Sequence, residues 1–220
     1  FDAVQSTIAD VLNHKRGGLL SVGFFLAMLF STNGINAIIS NFNQTIHKIE
    51  ERSLWQQLLV SLGLTVVITI NFLVGIIVII FSSDILNGFL DFFGLEAISS
   101  FAVELVRYLL LVFLILIGIV LIYNFAPSGK RKWRFFSPGA ILATVLILVT
   151  SYLFSFYVAN FNQYNTLYGS IGTLMVIMLW IYVNALVLII GFELNASIAS
   201  LKLERFEEEQ NELLKETKKA

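Results

Sequence analysis

Charged residues leave this chain for long intervals and return in short bursts. No Asp, Glu, Lys or Arg stands between Arg16 and Lys48, from Ser53 to Ser83, from Tyr108 to Gly129, or from Phe135 to Phe192. A helix crossing a bilayer needs about 20 mostly apolar residues, because each adds about 1.5 Å across a hydrocarbon core about 30 Å thick. The first three intervals each fit one such helix. The fourth is too long for one and is broken by the polar run Asn160-Phe-Asn-Gln-Tyr-Asn-Thr166, so it reads as two helices joined by a short loop. The predicted spans are roughly 18–40, 57–82, 105–126, 138–159 and 170–198. Runs such as Leu109-Leu-Leu-Val-Phe-Leu-Ile-Leu-Ile117 lack the alternation of a barrel strand, and lipid leaves only closed barrels and helices as options. The fold class is therefore all-α: a polytopic transmembrane helical bundle with five spans in this chain. It divides into a single membrane domain, 1–200, and a charged helical tail, 201–220.

Composition agrees. Of 220 residues, 57% are hydrophobic and only 13% charged, and the mean hydropathy is +0.84. Soluble domains carry about twice that share of charge. A net charge of −1 argues against a nucleic-acid partner, which calls for a clearly basic surface. Zero cysteines exclude a disulfide scaffold and a thiolate metal site.

The charged bursts set an orientation. The loops 41–56 and 127–137 and the tail 202–220 hold Lys48 and Arg52, then Lys130, Arg131, Lys132 and Arg134, then Lys202, Arg205, Lys215, Lys218 and Lys219. Basic loops stay in the cytoplasm, so these three segments are placed on the cytoplasmic side. The opposite loops, 83–104 and 160–169, carry no Lys or Arg. Residue 1 then starts outside, which requires an odd number of upstream spans, most simply one, and so an expected six in the full-length protein. Segments 1–14 and 84–104 have apolar faces that suit either short surface helices or loop helices packed on the bundle. The tail reads as a continuation of the last span, more naturally a solvated helix end than a docking element.

Polar groups at membrane depth are the natural pointers to function. The first span is polar at its centre, Ser31-Thr-Asn-Gly-Ile-Asn-Ala-Ile-Ile-Ser40. Asn33 and Asn36 there, with Asn71, Thr65 and Thr69 in the second span, outline a shared polar cluster. Gly34 would admit a neighbouring helix. The cluster is either a solute path or hydrogen-bonded glue between helices. Glu193 in the last span is an anchor for a solute, or an ion-pair partner of Arg131, Lys132 or Arg134, the second being favoured because the basic loop is near. Asn184 and Asn195 stack three turns apart, which packing explains. Glu104 and Arg107 form a local pair. His14 and His47 fall on opposite sides of the membrane, so no metal site is expected. There is no G-x-x-x-x-G-K-[ST] phosphate loop and no G-x-S-x-G. No cofactor and no catalytic set is expected.

Several motifs resemble one family. Tyr123-Asn124-Phe-Ala-Pro127, then Trp133-Arg134, then Pro138-Gly139-Ala140 resemble the YNxxP…WR…PGA pattern of the YihY/BrkB family of bacterial inner-membrane proteins. Tyr164-Asn165, Tyr168-Gly169-Ser170, Leu179-Trp-Ile-Tyr182 and Gly191-Phe-Glu-Leu-Asn-Ala196 continue the match, which covers about 10–200. The resemblance implies a six-span membrane protein whose activity is poorly defined. Some members were labelled ribonuclease BN, but a nuclease needs clustered metal ligands and a broad basic surface, which these residues lack. Physically, Pro127 ends the third span, with Asn124 placed to cap freed carbonyls. Pro138 suits a first helical turn. Trp133 and Arg134 belong at lipid head groups, and Tyr164, Asn165, Tyr168 and Gly169 in a tight outer loop.

The expected role is a transporter or exporter of an amphiphilic or lipid-like solute. The solute would be bound by Asn33, Asn36, Asn71, Arg134, Asn184, Glu193 and Asn195, with membrane lipids as the other partner. The alternative is a structural or scaffolding protein of the bacterial envelope. Homo-oligomerisation is left open.

Overall fold

The computed structural model describes residues 17–45, 52–92, 100–128, 135–160 and 162–217. Five helices account for nearly all of them: α1 Gly17–Thr45, α2 Leu54–Phe92, α3 Ser100–Phe125, α4 Pro138–Asn160 and α5 Asn162–Thr217. Each contains a segment long and apolar enough to cross a membrane. The protein is a polytopic helical bundle.

The helix starts follow from local chemistry. Ser53 precedes α2, and its hydroxyl accepts from the Gln56 N–H (3.4 Å) while the Gln56 side chain accepts from the Ser53 N–H (3.3 Å). This reciprocal box satisfies two of the donors that a helix start leaves free. At α4 the cap is Ser137, whose hydroxyl accepts from Ala140 N–H at 3.2 Å. Pro138 takes the first helical position, where its missing N–H costs nothing, as expected.

Several boundaries differ from those read in the sequence. Helix α2 does not stop near 82 but runs on to Phe92, absorbing the first part of the segment expected as a separate surface helix. Ser82-Ser-Asp-Ile-Leu-Asn-Gly-Phe-Leu90 contains no proline, so the backbone has no reason to break. Helix α5 begins at Asn162, so Tyr164, Asn165, Tyr168 and Gly169 lie in its first turns rather than in a loop. Asn and Gly in that stretch lower helix propensity but do not forbid it. The same helix continues without interruption through the charged tail to Thr217, 56 residues in all. Segment 1–14, with His14, falls outside the described residues, as do His47, Lys130, Arg131, Lys132, Trp133 and Arg134.

Each helix packs on its neighbours in sequence, and α5 returns to touch α1, closing a ring. The core is gathered at one end of that ring: Ile39 and Phe42 late in α1, Leu64 early in α2, Ile119, Val120, Ile122 and Tyr123 late in α3, Ala140 and Ala143 early in α4, Val187 and Phe192 in α5. Antiparallel succession brings all of these to the same side of the membrane. Outside that core the helices expose large apolar side chains along their length, among them Leu54, Phe24 (71% exposed), Phe72, Phe101, Tyr152 and Met178. Hydrocarbon tails solvate such surface as well as another helix would, so helix association in lipid depends on close packing and hydrogen bonds. Among the described residues, then, the buried core lies at one end of the ring, its tight end.

Candidate functional site

At the tight end, α4 and α5 meet backbone to backbone. A methyl group on Gly139 would run into the Gly191 carbonyl oxygen, and one on Gly191 would run into the Tyr123 hydroxyl. Only glycine fits at either position. The approach lets the Tyr123 O–H donate to Leu188 O at 2.7 Å. Phe192 stacks on Phe42 of α1, ring centroids 3.9 Å apart, and Tyr123 meets both rings edge-on. Asn195 completes the joint: its Oδ1 accepts the Gly139 N–H (2.8 Å) and its Nδ2 donates to Ser137 Oγ (3.0 Å).

Arg52 fastens the next interface. Its guanidinium donates to the carbonyls of Phe125 (3.4 Å), Ala126 (3.0 Å) and Pro127 (2.8 Å), which the end of α3 leaves without helical partners. A cation there also complements the helix dipole. Partial burial pulls the guanidinium below the usual arginine value, yet arginine stays charged at neutral pH. Beside it, Asn43 Oδ1 accepts the Ser128 N–H at 3.0 Å, tying α1 to the same turn. Asn124, expected to cap freed carbonyls, donates to Val120 O within its own helix (2.8 Å).

A polar seam joins α1 to α2. Gln57 Nε2 donates to Asn36 Oδ1 (2.7 Å) and Ser40 Oγ (3.3 Å), and the Ser61 hydroxyl lies 3.5 Å from Asn36 Oδ1. Along α2, Ser61, Thr65 and Thr69 each donate to the carbonyl four residues back, at 2.9, 2.8 and 2.7 Å. Their oxygen lone pairs remain to accept. The seam starts at the tight end and reaches the middle of both helices.

The other residues singled out in the sequence scatter. Asn33 is exposed. Gly34 faces open space, so the close approach expected there occurs at Gly139 and Gly191 instead. Asn71 does not join Asn36: its Oδ1 lies against Gly118 of α3, 3.2 Å from where a methyl would stand. Asn184 donates to Trp180 O on its own helix (2.7 Å). Glu193 is exposed, and Arg134 lies outside the described residues. Glu104 and Arg107 pair at 3.6 Å as expected, and Arg107 also lies over the Tyr108 ring. Arg52, Gln57 and Ser61 were missed. The signal was a lone arginine and two adjacent glutamines at the mouth of an otherwise apolar run. Among the described residues, no three His, Cys, Asp or Glu side chains gather where they would hold a metal ion.

Tyr123, Pro138, Gly139, Phe192 and Asn195 thus converge on one joint, with Pro127 at the neighbouring Arg52 clamp, and over residues 1–215 the chain matches the family described as Virulence factor BrkB. The chain belongs to the BrkB family. It is 35% identical over 199 residues to the putative ribonuclease-like protein YfkH of Bacillus subtilis, covering 90% of this chain and 72% of that protein. A UPF0761 membrane protein of Tolumonas auensis is 34% identical over 113 residues, half of this chain and 36% of the relative. One from Pseudoalteromonas translucida is 28% identical over 111 residues, with the same coverage. The chain thus spans about a third of these two UPF0761 proteins. No solved structure matches. This BrkB chain is a membrane protein with several transmembrane helices, and Tyr123, Pro138, Gly139, Phe192 and Asn195 of its family pattern meet at the tight end of the ring.

Proposed function

We propose that this BrkB protein is a bacterial inner-membrane transporter, without enzymatic activity of its own, for an amphiphilic, lipid-like solute. One observation carries the reading. Among the described residues the buried core lies at one end of the helix ring, and from it a hydrogen-bonding seam between α1 and α2 runs to membrane depth. An acyl chain can enter between apolar helices while a polar head follows amides and hydroxyls, which are costly in lipid unless they have partners. The Lys and Arg distribution orients the tight end, with 41–56, 127–137 and 202–220, toward the cytoplasm. The test is reconstitution of the purified chain in vesicles carrying a fluorescent lipid, with transbilayer movement read by quenching from outside. Movement faster than in empty vesicles, and several-fold slower with Gln57→Leu, is the expected result. Rates equal to those of empty vesicles overturn the reading.

A scaffolding role has one observation in its favour. The last turns of α5 are exposed on every side from Leu201 to Asn211, as a helix awaiting a partner would be. Deleting 201–220 separates the readings. A scaffold loses its associated proteins while the vesicle assay is untouched.

A further inference from the structure

The antiparallel pairing of α1 and α2 has a regular register. Ser40 faces Gln57 and Asn36 faces Ser61. One more step of four residues along each helix sets Thr32 opposite Thr65. Both are buried, at 3% and 7% exposure. Thr65 donates to Ser61 O and keeps its lone pairs for the seam. Thr32 differs: its hydroxyl is buried and has no hydrogen-bond partner at all. Buried hydroxyls almost always have one. Thr32 stands near the centre of the apolar segment Ser21–Thr45, and Thr65 near the centre of Leu54–Phe81, at a depth where water is scarce.

We propose that the Thr32–Thr65 rung is a subsite for an uncharged, hydroxyl-bearing head group, a sugar or polyol, on the amphiphile. The subsite rests on the transport reading above and names the head group that reading leaves open. Thr32 offers an O–H donor and lone pairs, and Thr65 offers acceptors. The Asn36 amide accepts through its oxygen and holds its N–H donors one turn away. A sugar hydroxyl both donates and accepts, so it completes this set where a purely accepting phosphate cannot. Charge points the same way. Neither 17–45 nor 53–83 contains an Asp, Glu, Lys or Arg, so a charged head group would meet no counter-charge on these helices, a costly arrangement at this depth. Access also fits. From Ser21 to Ser31 only Met28 is shielded on α1, so a molecule moving along α1 from Ser21 meets Thr32 as the first buried polar group.

The test uses the full chain in phosphatidylcholine vesicles with two fluorescent probes, a monoglucosyl diacylglycerol and a phosphatidylcholine. Transbilayer movement is read by external quenching, and retention of each lipid on the purified protein by native mass spectrometry. The wild type is expected to favour the glucosyl probe. Thr32→Val should remove about fivefold of that preference, the worth of one neutral hydrogen bond. Its Tm should not fall, because valine deletes an unsatisfied hydroxyl while keeping the shape. Thr32→Ser should keep the preference. If the wild type moves neither probe yet retains the glucosyl lipid through Thr32, the subsite stands and the transport reading falls. An unchanged preference in Thr32→Val overturns the subsite. Equal loss for both probes with a lower Tm also overturns it, marking a structural threonine, and a wild type with no preference leaves the rung to water and does the same.

Discussion

Arg52 is one side chain doing what a helix C-terminus usually asks of a glycine turn or of water. It holds three carbonyls at the end of α3 from a position 73–75 residues away in sequence. Arg52→Ala should lower stability by about 1–3 kcal/mol, since hydrogen bonds to a charged group are the stronger kind and their loss leaves partly buried acceptors unmet. Arg52→Lys should recover only part, because an ammonium cannot fork across neighbouring carbonyls. Thermal unfolding in detergent reads both, and an unchanged Tm for the alanine variant would show that the clamp contributes nothing. Asn195→Ala should cost about 1–2 kcal/mol by the same measurement, as it frees the Gly139 N–H and its bond to Ser137. These residues were only half visible beforehand. Asn195 stood out as an amide in an apolar run, and packing was its natural explanation. Arg52 looked like one more positive charge in a loop, because nothing local says that its partner lies on another helix.

At the scale of elements, the α4–α5 joint depends on two glycines that meet face to face. Gly139→Ala and Gly191→Ala each bring a methyl group into backbone atoms or the Tyr123 hydroxyl. Each should destabilise by about 1–3 kcal/mol, the usual range for overpacking. Gly34→Ala and Gly63→Ala meet nothing within 4 Å, and should be neutral or stabilising by up to about 1 kcal/mol, since alanine favours a helix. A loss of Tm at 34 or 63 as large as at 139 or 191 would contradict this. The number and approximate place of the helices were legible, because hydropathy over 20 residues is a strong signal. Which glycine serves as a contact was not. Gly34 and Gly139 carry the same local information, and only the ring's closure through α5 separates them. Asn71 misled for a similar reason: its depth in α2 was readable, but its rotation toward Gly118 of α3 depends on tertiary packing.

At the scale of the whole molecule, the absence of native cysteine makes the topology directly testable. Asn43→Cys with Ser128→Cys should cross-link readily through a short linker, because these positions share a hydrogen bond at the tight end. Single substitutions at Gln44 and at Ala102 should react with an impermeant thiol reagent from opposite faces of intact membranes. Labelling of both from one face would refute the antiparallel ring. The length of α5 has a mechanical corollary. The rod continues past Leu201 for about 25 Å, unbraced on the exposed turns up to Asn211. If the helices shift around cargo, α5 pivots at its glycine fulcrum, and a tilt of about 10° sweeps the rod's tip, about 39 Å away, sideways by about 7 Å. Occupancy within the bilayer would then be telegraphed to whatever sits beside that tip.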